Sequence, residues 1–409
     1  MDSLLARYRR VRAHTDALVE GLSAEDCQLQ SMPDASPLKW HLAHTSWFFE
    51  TFVLEQALPG YRPFDPSFRV LFNSYYVGVG ARHPRPQRGL LSRPSLEQVK
   101  SYRRAIDEHM MRWLERDDPA PHWLALVELG LQHEQQHQEL ILTDLKHHFG
   151  CNPLASAWRP RPPLAVSAPC AAEAVEVEGG LVEIGHGGPA FAFDNELPRH
   201  RVWLEPFRLA SRLVTNAEYQ AFIDDGGYRR PELWLAEGWD VCQREDWQAP
   251  LYWRADGTLY SLHGITQRLP HEPLCHVSYY EADAYARWAG ARLPSEAEWE
   301  WVVGSRQPVP GTLLTDAMHC HPQPARENGL AQMLGDCWEW TGSAYLPYPG
   351  FRPAEGAVGE YNGKFMINQM VLRGGSCATP LEHIRATYRN FFPAHARWQF
   401  SGIRLAWSS

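Results

Sequence analysis

The chain lacks several features, and each gap removes a class of function. Eight cysteines are scattered over 409 residues, at 27, 151, 170, 242, 275, 320, 337 and 377, and none makes a C-x-x-C pair. That pattern argues against a disulfide scaffold and a cysteine zinc site, and a cytoplasmic, reducing setting is expected. No stretch approaches the roughly 18 apolar residues of a membrane span. Residues 1–12 are charged and hold no apolar core, so no signal peptide is expected. Long basic runs are missing, and 39 Lys and Arg against 48 Asp and Glu leave a formal net charge of −9, which disfavours nucleic-acid binding. No internal repeat is visible. What remains is the composition of an ordinary globular protein, 44% hydrophobic and 21% charged, long enough for two domains.

The most informative stretch is Leu131-Gln-His-Glu-Gln-Gln-His-Gln-Glu-Leu-Ile-Leu142. It carries His133 and His137 at i and i+4, one helical turn apart on one face, a spacing suited to two ligands of one metal ion. Apolar flanks, with no Gly or Pro between Leu131 and His148, predict a helix from about Trp123 to His148. The literal pattern H-E-x-x-H also matches a zinc-protease helix with Glu134 as general base. The extended form of that motif fails, because Leu140 stands where Gly is required and Thr143 where His is required. Upstream, a second predicted helix runs from Leu38 to about Leu58 and holds His41 and His44 on one face. Either could be a third ligand, and spacing alone allows zinc as readily as iron.

The remaining pattern completes an N-terminal bundle. Residues 1–30 read as a helix, Ser36 as an N-cap with Pro37 opening the next one, and Ser95-x-x-Gln98 as a capping box for a helix to about Glu115. Between the second and third helices, residues 59–95 form a long loop rich in aromatics, Pro and Gly, with Arg82, Arg85 and Arg88 at steps of three. The expected organisation is a metal-binding four-helix bundle over 1–155, a Pro-rich linker over 156–175, and a mixed α+β domain over 176–409. Within the α+β domain, short helices are expected near 215–222 and 278–288.

Several strings of the C-terminal half resemble the formylglycine-generating-enzyme fold, a C-type-lectin-like domain. They are Val214-Thr-Asn-Ala-Glu-Tyr219, Ala289-Gly-Ala-Arg-Leu-Pro-Ser-Glu-Ala-Glu-Trp299, Gly335-Asp-Cys-Trp-Glu-Trp-Thr341, Arg373-Gly-Gly-Ser376 and Gly402-Ile-Arg-Leu405. Formylglycine chemistry uses a cysteine pair near the end of that domain; here no second cysteine follows Cys377. The N-terminal half resembles a DinB-type four-helix bundle. Trp40-His-Leu-Ala-His-Thr45, Phe72-Asn-Ser-Tyr-Tyr76, His133-Glu-Gln-Gln-His137, Tyr388-Arg-Asn-Phe-Phe-Pro393 and Arg397-Trp-Gln-Phe400 together resemble the ergothioneine-biosynthesis sulfoxide synthases (EgtB) over nearly the whole chain. Selenoneine synthases (SenA) share the lineage and architecture.

The resemblance implies a non-haem Fe(II) site on His44, His133 and His137, with His41 behind it. It implies O2-dependent joining of a cysteine-type sulfur to C2 of the imidazole of hercynine, the trimethyl betaine of histidine, giving a sulfoxide. Gln136, Asn390 and Phe391 correspond to hercynine contacts, and Tyr75 and Tyr76 to a tyrosine that supplies a proton near the metal; Phe391 and Phe392 are candidate aromatic walls for the quaternary ammonium of hercynine. Arg85 and Arg88 match positions that hold the carboxylate of free cysteine, and Phe392 stands where users of γ-glutamylcysteine carry an acid. L-Cysteine is therefore the expected donor, with a selenosugar as the alternative. Two other readings stay open: a zinc-dependent thiol transferase or hydrolase on the same bundle, and a lectin-like binding protein with a structural metal.

Overall fold

The computed structural model describes residues 3–116, 119–161, 170–306, 308–326 and 329–408. The chain divides into two compact units, one comprising Met1–Asn152 and Glu355–Tyr361, the other Pro153–Ala354 and Asn362–Ser409.

The first unit is built on four long helices: α1 (Leu4–Leu18), α2 (Leu38–Phe49), α3 (Leu96–Leu114) and α4 (Pro121–Gly150). The expected helix over 1–30 stops at Leu18, and Gly21 with φ +80° turns the chain, a conformation in which a Cβ is strained. The Ser95–Gln98 capping box forms as its sequence suggests. Ser36 does not cap α2; its N–H donates to Asp144 and its hydroxyl accepts from Arg88, so tertiary contacts take both groups. All twelve residues of α2 are buried, so its polar side chains Lys39, His41, His44, Thr45 and Ser46 find their partners inside the protein. A π-helical turn, Glu50–Leu54, carries it on toward Leu58, and Glu50 accepts from the Tyr61 and Tyr102 hydroxyls and the Phe64 N–H. The helices α2 and α4 meet at Gly130, where a Cβ would stand 2.5 Å from the Phe49 ring. The long loop is ordered by a run of ring contacts among Phe64, Phe68, Phe72 and Tyr102.

An ionic network crosses the bundle. Glu134 of α4, 0% exposed, accepts from Arg12 of α1 at 2.8 Å and Arg103 of α3 at 2.7 Å, and from Thr15 at 2.7 Å. The same guanidiniums reach Ser46 and Thr45 of α2, so all four helices are tied to one carboxylate. The arginines outweigh the desolvation of Glu134 and hold it down at about 2.

The second unit is α+β. Its strands are β1 (Ala174–Val177), β2 (Gly180–Ile184), β3 (His200–Leu204), β4 (Phe207–Ala210), β5 (Thr258–Ser261), β6 (Gly264–Gln267), β7 (Trp338–Ala344), β8 (Met370–Arg373), β9 (Asn390–Phe392), β10 (Ser401–Gly402) and β11 (Ala406–Ser408). They form sheets ordered β1-β4-β11 and β10-β7-β8-β9 and two hairpins, β2-β3 and β5-β6. Four helices accompany them: α5 (Asn216–Asp224), α6 (Ala236–Arg244), α7 (Tyr279–Trp288) and α8 (Glu296–Ser305). Only α5 and α7 were expected. The missed α8 opens on a Ser295–Glu298 capping box inside the Leu-Pro-Ser-Glu string, and its buried Trp299, Val302 and Val303 face the core. The signature strings converge physically: Arg404 makes a forked pair with Glu339, and Trp299 donates to the same carboxylate. Arg373 meets Glu296, Glu300 and Tyr348 nearby. These strings therefore encode a buried, densely hydrogen-bonded polar core, which explains why they announce a fold rather than a reaction.

Candidate metal centre

Three imidazoles meet inside the first unit. His44 of α2 and His133 and His137 of α4 each offer a ring nitrogen, and these atoms lie within 4.8 Å of one another, all three residues being buried. The elements dictate this. The i, i+4 pair shares the α4 face toward α2, and the close approach at Gly130 brings His44 opposite. The His44 Nδ1–H donates to the Phe72 carbonyl at 2.6 Å, which leaves its Nε2 lone pair facing His133 Nε2 at 3.1 Å. The ring of His44 stacks near-parallel on Trp40 and Trp47, with centroids 4.5 and 5.5 Å away, so its orientation is fixed by packing. Phe48 covers His133 at 4.8 Å.

Burial drives all three imidazoles toward the neutral form: His133 falls to about 3, and His44 and His137 fall well below their ordinary value, each further lowered by a neighbouring histidine. Neutral rings with converging lone pairs are what a divalent metal of borderline softness requires. His41 faces His137 Nδ1 at 2.8 Å and Asp144 at 2.9 Å, so it belongs to the shell behind the ligand atoms. Glu134 is locked between two arginines, Arg12 and Arg103, and both of its oxygens are taken. The protease reading, which needs Glu134 as a free base beside the metal, is overturned by this geometry.

The other expected residues differ in their surroundings. Arg88 is 4% exposed, its guanidinium carbon 3.3 Å over the Trp40 ring, with one nitrogen donating to Ser36. Its Nε has no hydrogen-bond partner and no carboxylate pairs with it among the described residues. Burial pushes its pKa well down and Arg85 adds to that, while the charge of Asp144 acts in the opposite direction. Arg85 is exposed and donates to the Asp34 carbonyl. The Tyr75 and Tyr76 rings lie tilted against each other with centroids 4.6 Å apart, and burial raises the Tyr76 hydroxyl above its ordinary range. Gln136 stands half-buried on α4 beside His137. Asn390, Phe391 and Phe392 form strand β9 of the second unit, where Phe391 stacks on Tyr345 at 4.0 Å.

Sequence reading missed the segment Glu355–Tyr361, which packs with the bundle. Glu360 accepts the N–H groups of Val77 and Gly78 at 2.9 and 2.7 Å. Tyr361 then lies with its ring 5.9 Å from His133 and 6.0 Å from Tyr75. No local signal marks these residues; they sit in a Gly-containing stretch more than 200 positions from the ligand helix.

Comparison with known proteins gives two family matches and a set of relatives. The model of the DinB superfamily matches residues 7–141, and that of the sulfatase-modifying factor enzyme 1-like domain matches 163–308 and 314–409. The chain is 35% identical, over 99% of both chains, to the hercynine oxygenase of Mycobacterium tuberculosis. It is 36% identical to that of Mycolicibacterium smegmatis, with 98% of this chain and 97% of the other covered. The formylglycine-generating enzyme of Streptomyces coelicolor is 30% identical and covers 49% of this chain and 77% of its own.

Proposed function

This chain belongs to the hercynine oxygenase family, and we propose on that premise that it joins a thiol sulfur to the imidazole C2 of hercynine in ergothioneine biosynthesis, with O2 as co-substrate. The observation that carries the reading is the buried three-histidine cluster in the DinB-like region of a chain that aligns end to end with hercynine oxygenases. His44, His133 and His137 suit Fe(II), since three neutral nitrogen ligands leave coordination positions open. Bound iron would lower the pKa of the sulfur and activate O2 beside it. The protein's own groups do the rest: they hold both substrates in register, so that coupling gains from proximity, and they keep a proton ready. Eight cysteines with no disulfide among them suit a reducing cytoplasm as the place of action. An anaerobic metal titration followed by O2 admission tests the reading. O2 uptake that requires Fe(II), hercynine and a thiol is expected; turnover with zinc and no O2 would replace it by the transferase or hydrolase alternative.

The donor is assigned to L-cysteine. Arg88 supports this: its buried Nε has no hydrogen-bond partner and, among the described residues, no carboxylate stands within ion-pair distance of its guanidinium, so a ligand anion would complete it. Arg85, already engaged with Asp34, plays the smaller part. Arg88→Ala is expected to raise the apparent KM for cysteine about 10- to 100-fold, the range for losing a hydrogen bond to a charged group, with hercynine affinity nearly unchanged. Steady-state kinetics with each substrate varied checks it. A wild-type enzyme that ignores cysteine but couples a selenosugar to hercynine would overturn the assignment. Hercynine's contacts are assigned to Gln136, Asn390, Phe391 and Phe392, the two phenylalanines being of the aromatic kind that suits a trimethylammonium group.

The proton is assigned to the tyrosine group of Tyr75, Tyr76 and Tyr361. Burial keeps Tyr76 protonated, and Tyr361 is the ring that links this pair to His133. Tyr→Phe at the acting position is expected to divert turnover from coupling to the sulfinic acid of the thiol. Product ratios by mass spectrometry for Tyr75→Phe, Tyr76→Phe, Tyr361→Phe and the Tyr75/Tyr76 double variant decide it, and unchanged ratios throughout would remove the role.

A further inference from the structure

We propose that Asp144 is a positioning residue which, acting through His41, fixes the tautomer of His137 so that its Nε2 lone pair is presented to the metal. The inference rests on the reading of His44, His133 and His137 as metal ligands, but its main test needs no metal. Asp144 lies seven residues after His137 on α4, two turns along the same face. His41 of α2 fills the gap between them: its Nε2 is 2.9 Å from Asp144 Oδ2 and its Nδ1 is 2.8 Å from His137 Nδ1. The carboxylate and both rings are buried, at 2%, 2% and 8% exposure, so water does not compete for these contacts.

The proton count follows from donor and acceptor chemistry alone. A carboxylate only accepts, and Asp144 Oδ2 already accepts the Ser36 N–H at 2.9 Å. The His41 Nε2 therefore carries its hydrogen. A neutral imidazole then has a bare Nδ1, and the 2.8 Å contact with His137 needs one hydrogen, which only the His137 Nδ1 can supply. That leaves the His137 Nε2 as a lone pair. Without Asp144 the order can reverse: His41 can carry its hydrogen on Nδ1 and donate to His137, whose Nε2 then holds a hydrogen where a metal bond should form. His44 reaches the same tautomer by a different route, through the Phe72 carbonyl. Each of these two ligands is thus set by its own acceptor, one on the backbone and one on the His41 side chain of α2, which Asp144 of α4 holds in turn.

Long-range 1H–15N NMR of the imidazoles in the metal-free, full-length protein reads the tautomers directly. The wild type is expected to show His137 protonated at Nδ1 and His41 at Nε2; the opposite assignment for either ring overturns the proposal whatever the variants do. Asp144→Ala is expected to give mixed tautomers at both rings and Co(II) binding weakened about 10- to 100-fold, as for loss of a partner behind a metal ligand. Asp144→Asn should keep most of both properties, because the Ser36 N–H holds its amide oxygen in the same place. Wild-type tautomers in Asp144→Ala, with or without a change in Co(II) affinity, would reduce the residue to packing and sink the idea. Should Asp144→Ala fail to fold, the wild-type spectrum and Asp144→Asn still decide. Wild-type protein that shows the expected tautomers yet binds no Co(II) would instead count against the three-histidine metal reading.

Discussion

Alanine in place of His133, His137 or His44 should abolish metal binding and O2-dependent turnover while leaving a folded protein. Each side chain supplies one of three converging nitrogens, and no other group of three His, Cys, Asp or Glu among the described residues could take over. The loss should exceed the roughly 10- to 100-fold that removal of an outer partner costs. The bundle survives because its apolar interior is carried by other side chains, among them Leu42, Phe49, Val99, Ile106, Leu131, Ile141 and Leu145, all at most 1% exposed. His44→Ala should be the least stable of the three, since it removes the ring packed on Trp40 and Trp47. Fe(II) or Co(II) titration beside circular dichroism separates binding from folding. His41→Ala should fall within the milder range; if it loses metal more severely than His44→Ala, the ligand assignment on α2 is wrong.

Glu134→Ala should be the most destabilising single change in the bundle, by about 3–5 kcal/mol, the range for stranding a buried charge. Two guanidiniums, Arg12 and Arg103, at 3% and 2% exposure, would lose their shared carboxylate, although each keeps a second acid at the margin, Asp107 and Asp16. The same residue gives a pH signature. Its folded pKa, about 2, lies below the ordinary 4.5, so its stabilisation is complete above about pH 4.5 and drains away as pH falls toward 2. Glu134→Gln should therefore be less stable at neutral pH and show a shallower loss of stability between those limits. Urea unfolding across pH 2–7 reads both effects. A variant as stable as wild type at pH 7 would falsify the view that this glutamate ties the helices together.

Much of this molecule is legible in local pattern because the determinants are themselves local. The i, i+4 spacing of His133 and His137, the Ser95–Gln98 capping box and the apolar periodicity of the bundle helices each depend on residues within a turn or two of one another. The signature strings of the C-terminal half are legible for a different reason: Arg404, Glu339 and Trp299 satisfy one another in a buried core that tolerates few alternatives.

What the sequence left open was decided by pairs of residues far apart in the chain. His41 and His44 share a face of α2, so spacing could not rank them; packing against α4 turned one toward Asp144 and the other toward His133. The H-E-x-x-H pattern could not tell a catalytic base from a structural acid, because the answer lay in Arg12 and Arg103 on two other helices. Arg82, Arg85 and Arg88 looked equivalent in a loop, yet only Arg88 is buried, against Trp40. Tyr361 arrives beside His133 from the far half of the chain, held by Glu360 on two backbone N–H groups. Periodicity sets which face of an element a residue occupies, whereas the partner it meets there depends on how separate elements pack, and sequence distance carries no record of that.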